Sequence, residues 1–397
     1  MYYQAFRISV IALTLIAQVV LLVRCVKALG SREGSARTKL WLCILVGTLL
    51  GFLLFMNVVL LVWPAPRIDP PQPLRWLLFY LPAIWSSGSI FAALVLLLSP
   101  WIAGIGGVAM RIQRTLWGQM EFSDPPDPAR RRFLQAGVAG LATVPFVLSG
   151  YGILYAARAY EVREIHVPFG RKLRVVQLTD IHAGIFMTRR DMRRYVDQVR
   201  ELQPDLFVLT GDYVSSSIDF LPGCLEEMGR VRTRYGTYAI LGNHDLWYGK
   251  AGSLRKTFKR HRIPLLVNQH RVIETDQGPF AVAGIDDLRS GFPDLGAALK
   301  NLGSSAPVLL LSHRPEIFPE AASRGVRLTL DGHYPGGQIK LPLPGGAMSL
   351  AHFRTTYVEG LHRIAASYLY VSAGIGTTFT PVRLNAPPEV TVVELTV

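Results

Sequence analysis

Four short strings in the second half of the chain carry the residue types that bind transition metals. In order they are TDIHAG at 179–184, TGDYV at 210–214, LGNHD at 241–245 and LSHRP at 311–315, and a fifth, DGHYPGGQ, follows at 331–338. Together they supply two aspartates, an asparagine and four histidines: Asp180, Asp212, Asn243, His182, His244, His313 and His333. A pair of bound metal ions uses such groups to activate water against a phosphate ester.

The first two strings each follow a probable strand. Asp180 and His182 come after the apolar run 173–178, and side chains two apart on an extended segment point the same way, so both are expected to reach one metal. Gly184 lets the backbone turn close to them. Asp212 ends the next strand, and its two carboxylate oxygens could bridge two cations. Asp212 is therefore the natural shared ligand.

The later strings add neutral donors. Asn243 offers an amide oxygen, while the neighbouring His244 can point at a substrate instead. His313 and His333 each follow a later strand and can supply imidazole nitrogens. A mixture of carboxylate and imidazole suits Mn, Fe or Zn better than Mg or Ca. Any one of these elements is a weak signal, because a Gly-Asp pair after a strand is commonly a turn. The joint order is the specific signal.

Short apolar runs must position these residues. The predicted strands lie at 173–178, 206–209, 238–241, 280–285, 308–311, 328–330, 368–371 and 390–395. Between them, 191–202 predicts an amphipathic helix, and 253–261 predicts a basic surface helix with Ser253 as its N-cap. Strands alternating with helices predict an α/β layered domain over residues 158–397.

The first 157 residues read as a membrane domain. Uncharged apolar runs occupy 8–23, 40–63, 76–110 and 133–157, and a crossing needs about 20 apolar residues. The sequence therefore predicts about four transmembrane helices. The run 76–110 contains Pro82 and Pro100, so we expect one crossing plus an interfacial or kinked piece. Buried core helices of a soluble protein are the alternative interpretation.

Basic residues predict the orientation in the membrane. They concentrate in 24–39 and 111–132, whereas 64–75 has only Arg67 and Arg75. The two basic loops should therefore face the cytoplasm, with both chain ends and the second domain on the extracytoplasmic side of an inner or plasma membrane. Arg130-Arg131-Arg132 resembles a twin-arginine export signal, although a plain positive anchor before a helix explains it equally.

Composition narrows the partners. Lysine and arginine total 42 against 28 acidic residues, a net charge of +14, which suits anionic lipid headgroups or phosphorylated small-molecule or lipid substrates. The sequence has no run of basic residues interleaved with aromatic residues, so nothing in it indicates binding to nucleic acid.

Cys224 is the lone cysteine of the second domain, so no disulfide framework exists there. The apolar runs hold no midspan charge of the kind an ion path needs, which argues against a transporter or channel.

Residues 171–397 resemble the calcineurin-like metallophosphoesterase family. The shared pattern runs Asp-x-His, Gly-Asp, Gly-Asn-His-Asp, a single His, then Gly-His. With apolar spans in front, the layout is similar to transmembrane proteins that carry such a domain. The resemblance implies a four-layer α/β sandwich of two β-sheets flanked by helices. It also implies a binuclear centre: Asp180 and His182 on the first metal, Asp212 bridging, Asn243, His313 and His333 on the second, and a catalytic His244 oriented by Asp245.

The chain departs from the family pattern at Pro335, where a further histidine ligand of the first metal is expected. Proline has no donor atom in its side chain, which leaves three outcomes open: His352 substitutes, water completes the shell, or the first site is weak or empty. Two hypotheses follow. The first is a membrane-anchored phosphomonoesterase or phosphodiesterase that uses metal-activated water. The alternative is a metal-depleted, non-catalytic relative that binds phosphorylated ligands or partners.

Overall fold

The computed structural model describes residues 2–30, 35–62, 71–117, 128–303, 306–334, 336–344, 346–378 and 380–397. The chain divides into two compact units, Met1–Tyr151 and Gly152–Val397. The first contains the apolar helices and the second contains every strand of the described residues.

The first unit is wholly helical where it is described. Its helices are α1 (Tyr2–Gly30), α2 (Ala36–Val62), α3 (Gln72–Arg75), α4 (Leu81–Trp117) and α5 (Pro128–Tyr151), with a π-helical turn at Trp76–Tyr80. Within the described residues, four stretches are long and apolar enough to cross a membrane: Ile11–Gly30, Ala36–Met56, Pro73–Ser99 and Ala136–Ala156. The predicted number of apolar helices is confirmed. The proposed export signal lies at the start of α5.

The run 76–110, for which we predicted one crossing plus an interfacial or kinked piece, divides into a π-helical turn and one long helix. Helix α4 continues from Leu81 through residue 100 to Trp117, and the irregularity lies before it, in the π-helical turn. Pro82 has no amide hydrogen to donate, and it lies just after this turn in a helical stretch that runs without a break from Gln72 to Trp117. Ser87 donates its hydroxyl hydrogen bond to the carbonyl of Ala83, 2.8 Å away, so this polar side chain is satisfied without breaking the helix.

Two mixed sheets form the second unit. The strands are β1 (Glu161–Pro168), β2 (Leu173–Leu178), β3 (Leu206–Leu209), β4 (Thr237–Ala239), β5 (Gln269–Ile273), β6 (Phe280–Gly284), β7 (Val308–Leu311), β8 (Leu328–Asp331), β9 (Leu341–Leu343), β10 (Gly346–Met348), β11 (Gly360–Ile364), β12 (Ser367–Val371) and β13 (Glu389–Thr396). The five-stranded sheet has the order β1-β13-β2-β3-β4 and the six-stranded sheet β11-β12-β8-β7-β6-β5. Strands β9 and β10 pair only with each other.

Helices cover the outer faces of both sheets. They are α6 (Arg189–Glu201), α7 (Leu221–Met228), α8 (Asn243–Tyr248), α9 (Ala251–Arg260), α10 (Leu295–Ala298) and α11 (Phe318–Ser323). Shorter turns are a π-helical turn at Gly152–Ala156 and 3₁₀ turns at Ile218–Phe220, Pro315–Ile317 and Leu350–Phe353.

Strand alternation divides the core into layers. On β2, Val175 belongs to the cluster between the sheets, while the next residue, Val176, belongs to the cluster under α6, α7 and α9. On β7, Leu309 faces the inter-sheet core and Leu310 packs toward α10 and α11. The result is a helix–sheet–sheet–helix arrangement, which confirms the predicted four-layer α/β sandwich.

Predicted and observed elements differ mainly at sheet edges. The sequence missed β1, β5 and β11, whose residues are largely exposed or half-buried and lack a continuous apolar run. It also missed the short exposed strands β9 and β10. The predicted cap of α9 is also wrong. The helix begins at Ala251, its N-cap is Lys250, and Ser253 lies inside the first turn.

Candidate metal centre

The predicted ligands lie where parallel strands end. Strands β2, β3 and β4 run parallel as neighbours in one sheet, and β7 and β8 run parallel as neighbours in the other. Asp180, Asp212 and Asn243 follow the three strands of the first sheet, and His313 and His333 follow the two of the second. Because carboxyl ends of parallel strands share one edge, both sheets deliver side chains to a common crevice.

Left-handed backbone aims these side chains. Asp180, His182, Asp212 and His333 have φ values of 50°, 50°, 54° and 69°. The extended backbone expected at Asp180 and His182 is therefore wrong, although the two side chains do meet, with Nε2 of His182 3.7 Å from Oδ1 of Asp180. Backbone bonds hold the turns instead: the amide of Asp180 donates to the carbonyl of Gly211 at 3.1 Å, and that of His182 to Asp212 at 2.9 Å. Such conformations cost about 1 kcal/mol or more each and concentrate at functional sites.

A first group of donor atoms surrounds His182. Its Nε2 lies 3.7 Å from Oδ1 of Asp180 and 3.7 Å from Oδ2 of Asp212. All three residues are buried. Among the described residues, Oδ1 of Asp180 and both ring nitrogens of His182 have no hydrogen-bond partner. Because buried polar atoms are normally hydrogen-bonded, these unpartnered donors fit a bound cation. The donor set is that of a divalent transition metal.

A second group surrounds His313. Its Nε2 lies 3.3 Å from Oδ2 of Asp212 and 3.2 Å from Oδ1 of Asn243, and Nδ1 of His333 lies 3.3 Å from it. The other nitrogen of His313, Nδ1, is 2.8 Å from the carbonyl oxygen of Thr210. A carbonyl oxygen only accepts, so Nδ1 carries a proton, and Nε2 is the nitrogen that would bind a cation once it gives up its own proton. Asp212 belongs to both groups, as a bridging ligand requires.

The ionisation of each acidic or imidazole group in the crevice depends on the charge of its neighbours. Burial opposes ionisation of Asp212, but the surrounding imidazoles outweigh it and hold the pKa of its carboxyl well below the usual value. Burial likewise opposes charge on His313, yet the adjacent Asp212 carboxylate raises its pKa to about 10. Burial lowers the pKa of His333. Asp212 and His313 therefore form a buried ion pair that a bound cation would have to displace.

The expectation that Asp245 orients the ring of His244 is wrong. The Asp245 carboxylate accepts hydrogen bonds from the backbone amides of Gly242, Asp212 and Tyr213, each at 2.9 Å. It ties the loop that carries Asp212 to the start of α8. Burial and the nearby Asp212 carboxylate raise the pKa of Asp245 to about 7.

The ring of His244 has a different partner. Its Nδ1 lies 3.0 Å from the carbonyl oxygen of Ser215, so Nδ1 carries the proton and Nε2 faces the crevice. The backbone amide of His244 donates to Oδ1 of Asp212 at 2.8 Å. Donor atoms of His182, Asp212 and His244 lie within 4.8 Å of one another. Burial lowers the pKa of His244 to about 4, so its ring is neutral at pH 7.

Arg314 is a site residue that the sequence reasoning missed. Its guanidinium contacts Nε2 of His333 and donates to Oδ1 of Asn243 at 3.0 Å. Asp287 holds it in place through an ion pair of 2.8 Å between Arg314 Nε and Asp287 Oδ2, with both side chains buried. A fixed cation thus contacts two predicted ligands of the second metal. The LSHRP string contained Arg314, but nothing in the sequence pointed to Asp287 as its partner.

Two further residues bear on the first metal. Pro335 lies outside the described residues, so only the sequence shows that proline stands where the family pattern has a histidine. His352, considered as a substitute ligand, lies exposed on the Leu350–Phe353 turn. Its Nδ1 accepts a hydrogen bond from the backbone amide of Ser349 at 3.1 Å and so caps its own turn. It belongs to neither of the two ligand groups found among the described residues.

Comparisons with known proteins place these residues in a wider group. A family model described as calcineurin-like phosphoesterase matches residues 173–336. A zebrafish "Transmembrane protein with metallophosphoesterase domain" is 30% identical over 264 residues, covering 62% of this chain and 59% of the zebrafish protein. This chain therefore spans under two thirds of that relative's length.

Bacterial relatives are matched over almost their whole length. The Escherichia coli "Phosphodiesterase YaeI" is 30% identical over 277 residues, covering 67% of this chain and 99% of that protein. The Bacillus subtilis "Uncharacterized metallophosphoesterase YkuE" is 27% identical over 282 residues, covering 67% and 97%.

Proposed function

Because the chain belongs to the calcineurin-like phosphoesterase family, as its motifs predicted, we propose that it is a membrane-anchored, metal-dependent hydrolase of phosphomonoesters or phosphodiesters. One observation carries the proposal. Asp180 and His182 bury donor atoms beside the carboxylate of Asp212, and these atoms have no hydrogen-bond partner in the part of the chain that the structure describes. Leaving such atoms unpaired costs about 1–3 kcal/mol each, a cost that cation binding would offset.

In this proposal the crevice holds two divalent ions, Mn, Fe or Zn. The first would be held by Asp180, His182 and Asp212, and the second by Asn243, His313 and His333 together with Asp212. When bound, the ions would supply Lewis acidity that lowers the pKa of water and neutralises phosphoryl oxygens. The absence of a histidine at position 335 would leave the first ion the more weakly held.

His244 would orient the phosphate. Its Nδ1 proton is committed to the carbonyl of Ser215, so Nε2 is the atom directed at the substrate, and it would donate to a phosphoryl oxygen once it takes up a proton. Packing restricts the ring further: its centroid lies 4.7 Å from that of His182 and 4.7 Å from that of Trp247. A ring fixed on two sides loses little entropy when it meets a substrate, which is the benefit of preorganisation.

The proposed setting is the extracytoplasmic face of a membrane, with a phosphorylated small molecule or lipid as substrate. The four apolar stretches support the anchoring, and the basic segments 24–39 and 111–132 support the orientation. The name of the E. coli relative, a phosphodiesterase, favours diesters.

The test is hydrolysis of an aryl phosphodiester by the full-length protein in detergent, with Mn²⁺ supplied. Asp212→Asn should reduce the rate at least about 100-fold, because it removes the ligand common to both groups. Asp197→Asn, on the exposed face of α6, is the matched control and should keep the rate. A wild-type protein that binds Mn²⁺ but turns over neither a diester nor a monoester would contradict the proposal.

A metal-depleted binding protein is the second candidate. Two observations favour it: Pro335 in place of a ligand, and the guanidinium of Arg314 against Asn243 and His333. Metal quantification separates the two functions. A depleted protein should hold well under two ions per chain, and Arg314→Met combined with Asp287→Asn should raise that number. The second substitution is needed because Asp287 would otherwise be left buried and unpaired.

A further inference from the structure

An apolar projection follows the last candidate ligand along the chain. Strands β9 and β10 form a separate antiparallel hairpin that pairs with neither large sheet. Every described residue from Leu341 to Met348 is exposed. The following turn continues the pattern, since Leu350 is 83% and Phe353 77% exposed. We call residues 341–353 the apolar hairpin.

Both faces of the apolar hairpin are apolar. Leu341 pairs with Met348 and Pro342 with Ala347. Because successive strand residues point to opposite faces, Leu341, Leu343 and Met348 share one face while Pro342 and Ala347 share the other. Contiguous exposed apolar surface on a folded domain marks an interaction site. A ribbon that is apolar on both faces cannot be covered by one flat protein surface.

The base of the apolar hairpin is fixed to the domain. The backbone amide of Lys340 donates to the carbonyl of Leu384 at 2.9 Å, and its ammonium pairs with the carboxylate of Glu359. At the other end, Ala351 is buried in a small cluster with Tyr334 and Val358. The exposed strands β9 and β10 therefore project from a base that is fixed to the domain, which leaves their apolar side chains accessible to a partner.

Charge supports a lipid partner. Residues 341–356 contain no aspartate or glutamate, and Arg354 follows directly on the exposed Phe353. An apolar tip beside a basic residue suits the boundary between acyl chains and anionic headgroups. The same chain carries four stretches able to cross a membrane, so a bilayer is always within its reach.

We propose that the apolar hairpin inserts into the interfacial layer of the bilayer, giving the second unit a membrane contact separate from the apolar helices. Insertion would be shallow, because the outer edges of a two-stranded ribbon carry unpaired backbone groups that hydrocarbon does not tolerate. Tyr334, which packs against the base at Ala351, also makes an edge-to-face contact with His333, with ring centroids 4.6 Å apart. Tyr334 therefore connects the base of the apolar hairpin to His333, a candidate ligand of the second metal.

The test uses the full-length protein in vesicles with anionic lipid. Cys25→Ser and Cys43→Ser remove the reactive cysteines of the first unit, while Cys224 is buried. An environment-sensitive fluorophore is then placed at Leu350→Cys and, as control, at Val272→Cys, an exposed apolar position on β5 at the far edge of the six-stranded sheet. Spin-labelled lipids should quench position 350 at least about twofold and leave position 272 unchanged.

Three results would overturn the inference. The first is equal quenching by lipid at both positions, which would indicate general adsorption. The second is a fluorophore at position 350 that is quenched by iodide in the aqueous phase and is not quenched by the spin-labelled lipids. The third is protection of position 350 that depends on protein density instead of lipid, which would indicate a second copy of the chain. None of these readouts requires phosphoester hydrolysis.

Discussion

Asp212 connects the two donor groups of the crevice. Its Oδ2 lies 3.7 Å from Nε2 of His182 and 3.3 Å from that of His313, while its Oδ1 accepts the backbone amide of His244. The two oxygens therefore have separate roles, since one faces the cation sites and the other fixes the carboxylate to α8. We therefore expect the backbone around Asp212 to tolerate little change.

Gly242 illustrates that constraint and gives a prediction. A Cβ at position 242 would lie 2.2 Å from Oδ1 of Asp212, so Gly242→Ala should displace the carboxylate. We expect bound Mn²⁺, measured by elemental analysis of the purified full-length protein, to fall at least about tenfold. Gly252→Ala in α9 is the control, because a Cβ there meets nothing within 4 Å. Unchanged metal content in Gly242→Ala would show that the position of this carboxylate is not critical.

At the scale of elements, a buried glutamate joins α6 to α7. The carboxylate of Glu227 on α7 accepts hydrogen bonds from Arg189 at 3.1 Å, from Arg193 at 2.9 Å and from Arg230 at 3.0 Å. Hydrogen bonds from the arginines outweigh the effect of burial and lower the pKa of Glu227 to about 2. Because α6 begins seven residues after His182, this cluster holds the outer helical layer behind the first ligand group.

The lowered pKa predicts a pH-dependent stability. A carboxyl whose folded pKa lies below its ordinary value of 4.5 stabilises the fold above pH 4.5, and the contribution disappears as pH falls toward about 2. Glu227→Gln should therefore lower the free energy of unfolding by roughly 1–3 kcal/mol at pH 7, and the difference from wild type should shrink below pH 4.5.

Denaturant unfolding of both proteins in detergent at pH 7 and pH 3 measures that difference. Subtracting the wild-type value at each pH removes the titration of other groups. Glu226→Gln is the matched control, since Glu226 is exposed and pairs at the surface with Arg189, so it should cost under about 1 kcal/mol. A Glu227→Gln deficit that is constant from pH 7 to pH 3 would contradict the assigned role.

At the scale of the whole molecule, an apolar helical unit and an α/β unit share one chain. The apolar stretches establish that helices able to cross a membrane precede the phosphoesterase-like unit. The basic residues flanking them predict which side the second unit occupies. This arrangement would confine the crevice to substrates at or near a membrane.

Reporter fusions test that orientation. An enzyme reporter that is active only outside the cytoplasm should give signal when fused after Val397. The same reporter inserted after Arg32, in the basic segment between α1 and α2, should give none. The reverse result would place the second unit in the cytoplasm, because the two insertion points are separated by an odd number of crossings in the proposed topology.

The local sequence was enough to predict the central buried strands and the candidate ligands that line the crevice. Strands β2, β3 and β7 have the predicted bounds because each is mostly apolar and almost wholly buried, and in β3 and β7 the apolar run is continuous. The order of the five strings likewise predicted the family and the residues that gather at the strand ends. Edge strands such as β1 escaped prediction because their burial depends on which neighbour covers them.

Only the tertiary structure decided which hydrogen bonds and ion pairs the crevice residues make. The left-handed backbone at Asp180 and His182 is held by hydrogen bonds to the carbonyls of Gly211 and Asp212, which lie some thirty positions away. The pair between Arg314 and Asp287 joins residues 27 positions apart. Such contacts depend on how two sheets are stacked, and no local pattern of residue types encodes that distance. Sequence thus determined which chemical groups are present, and folding decided which of them face one another.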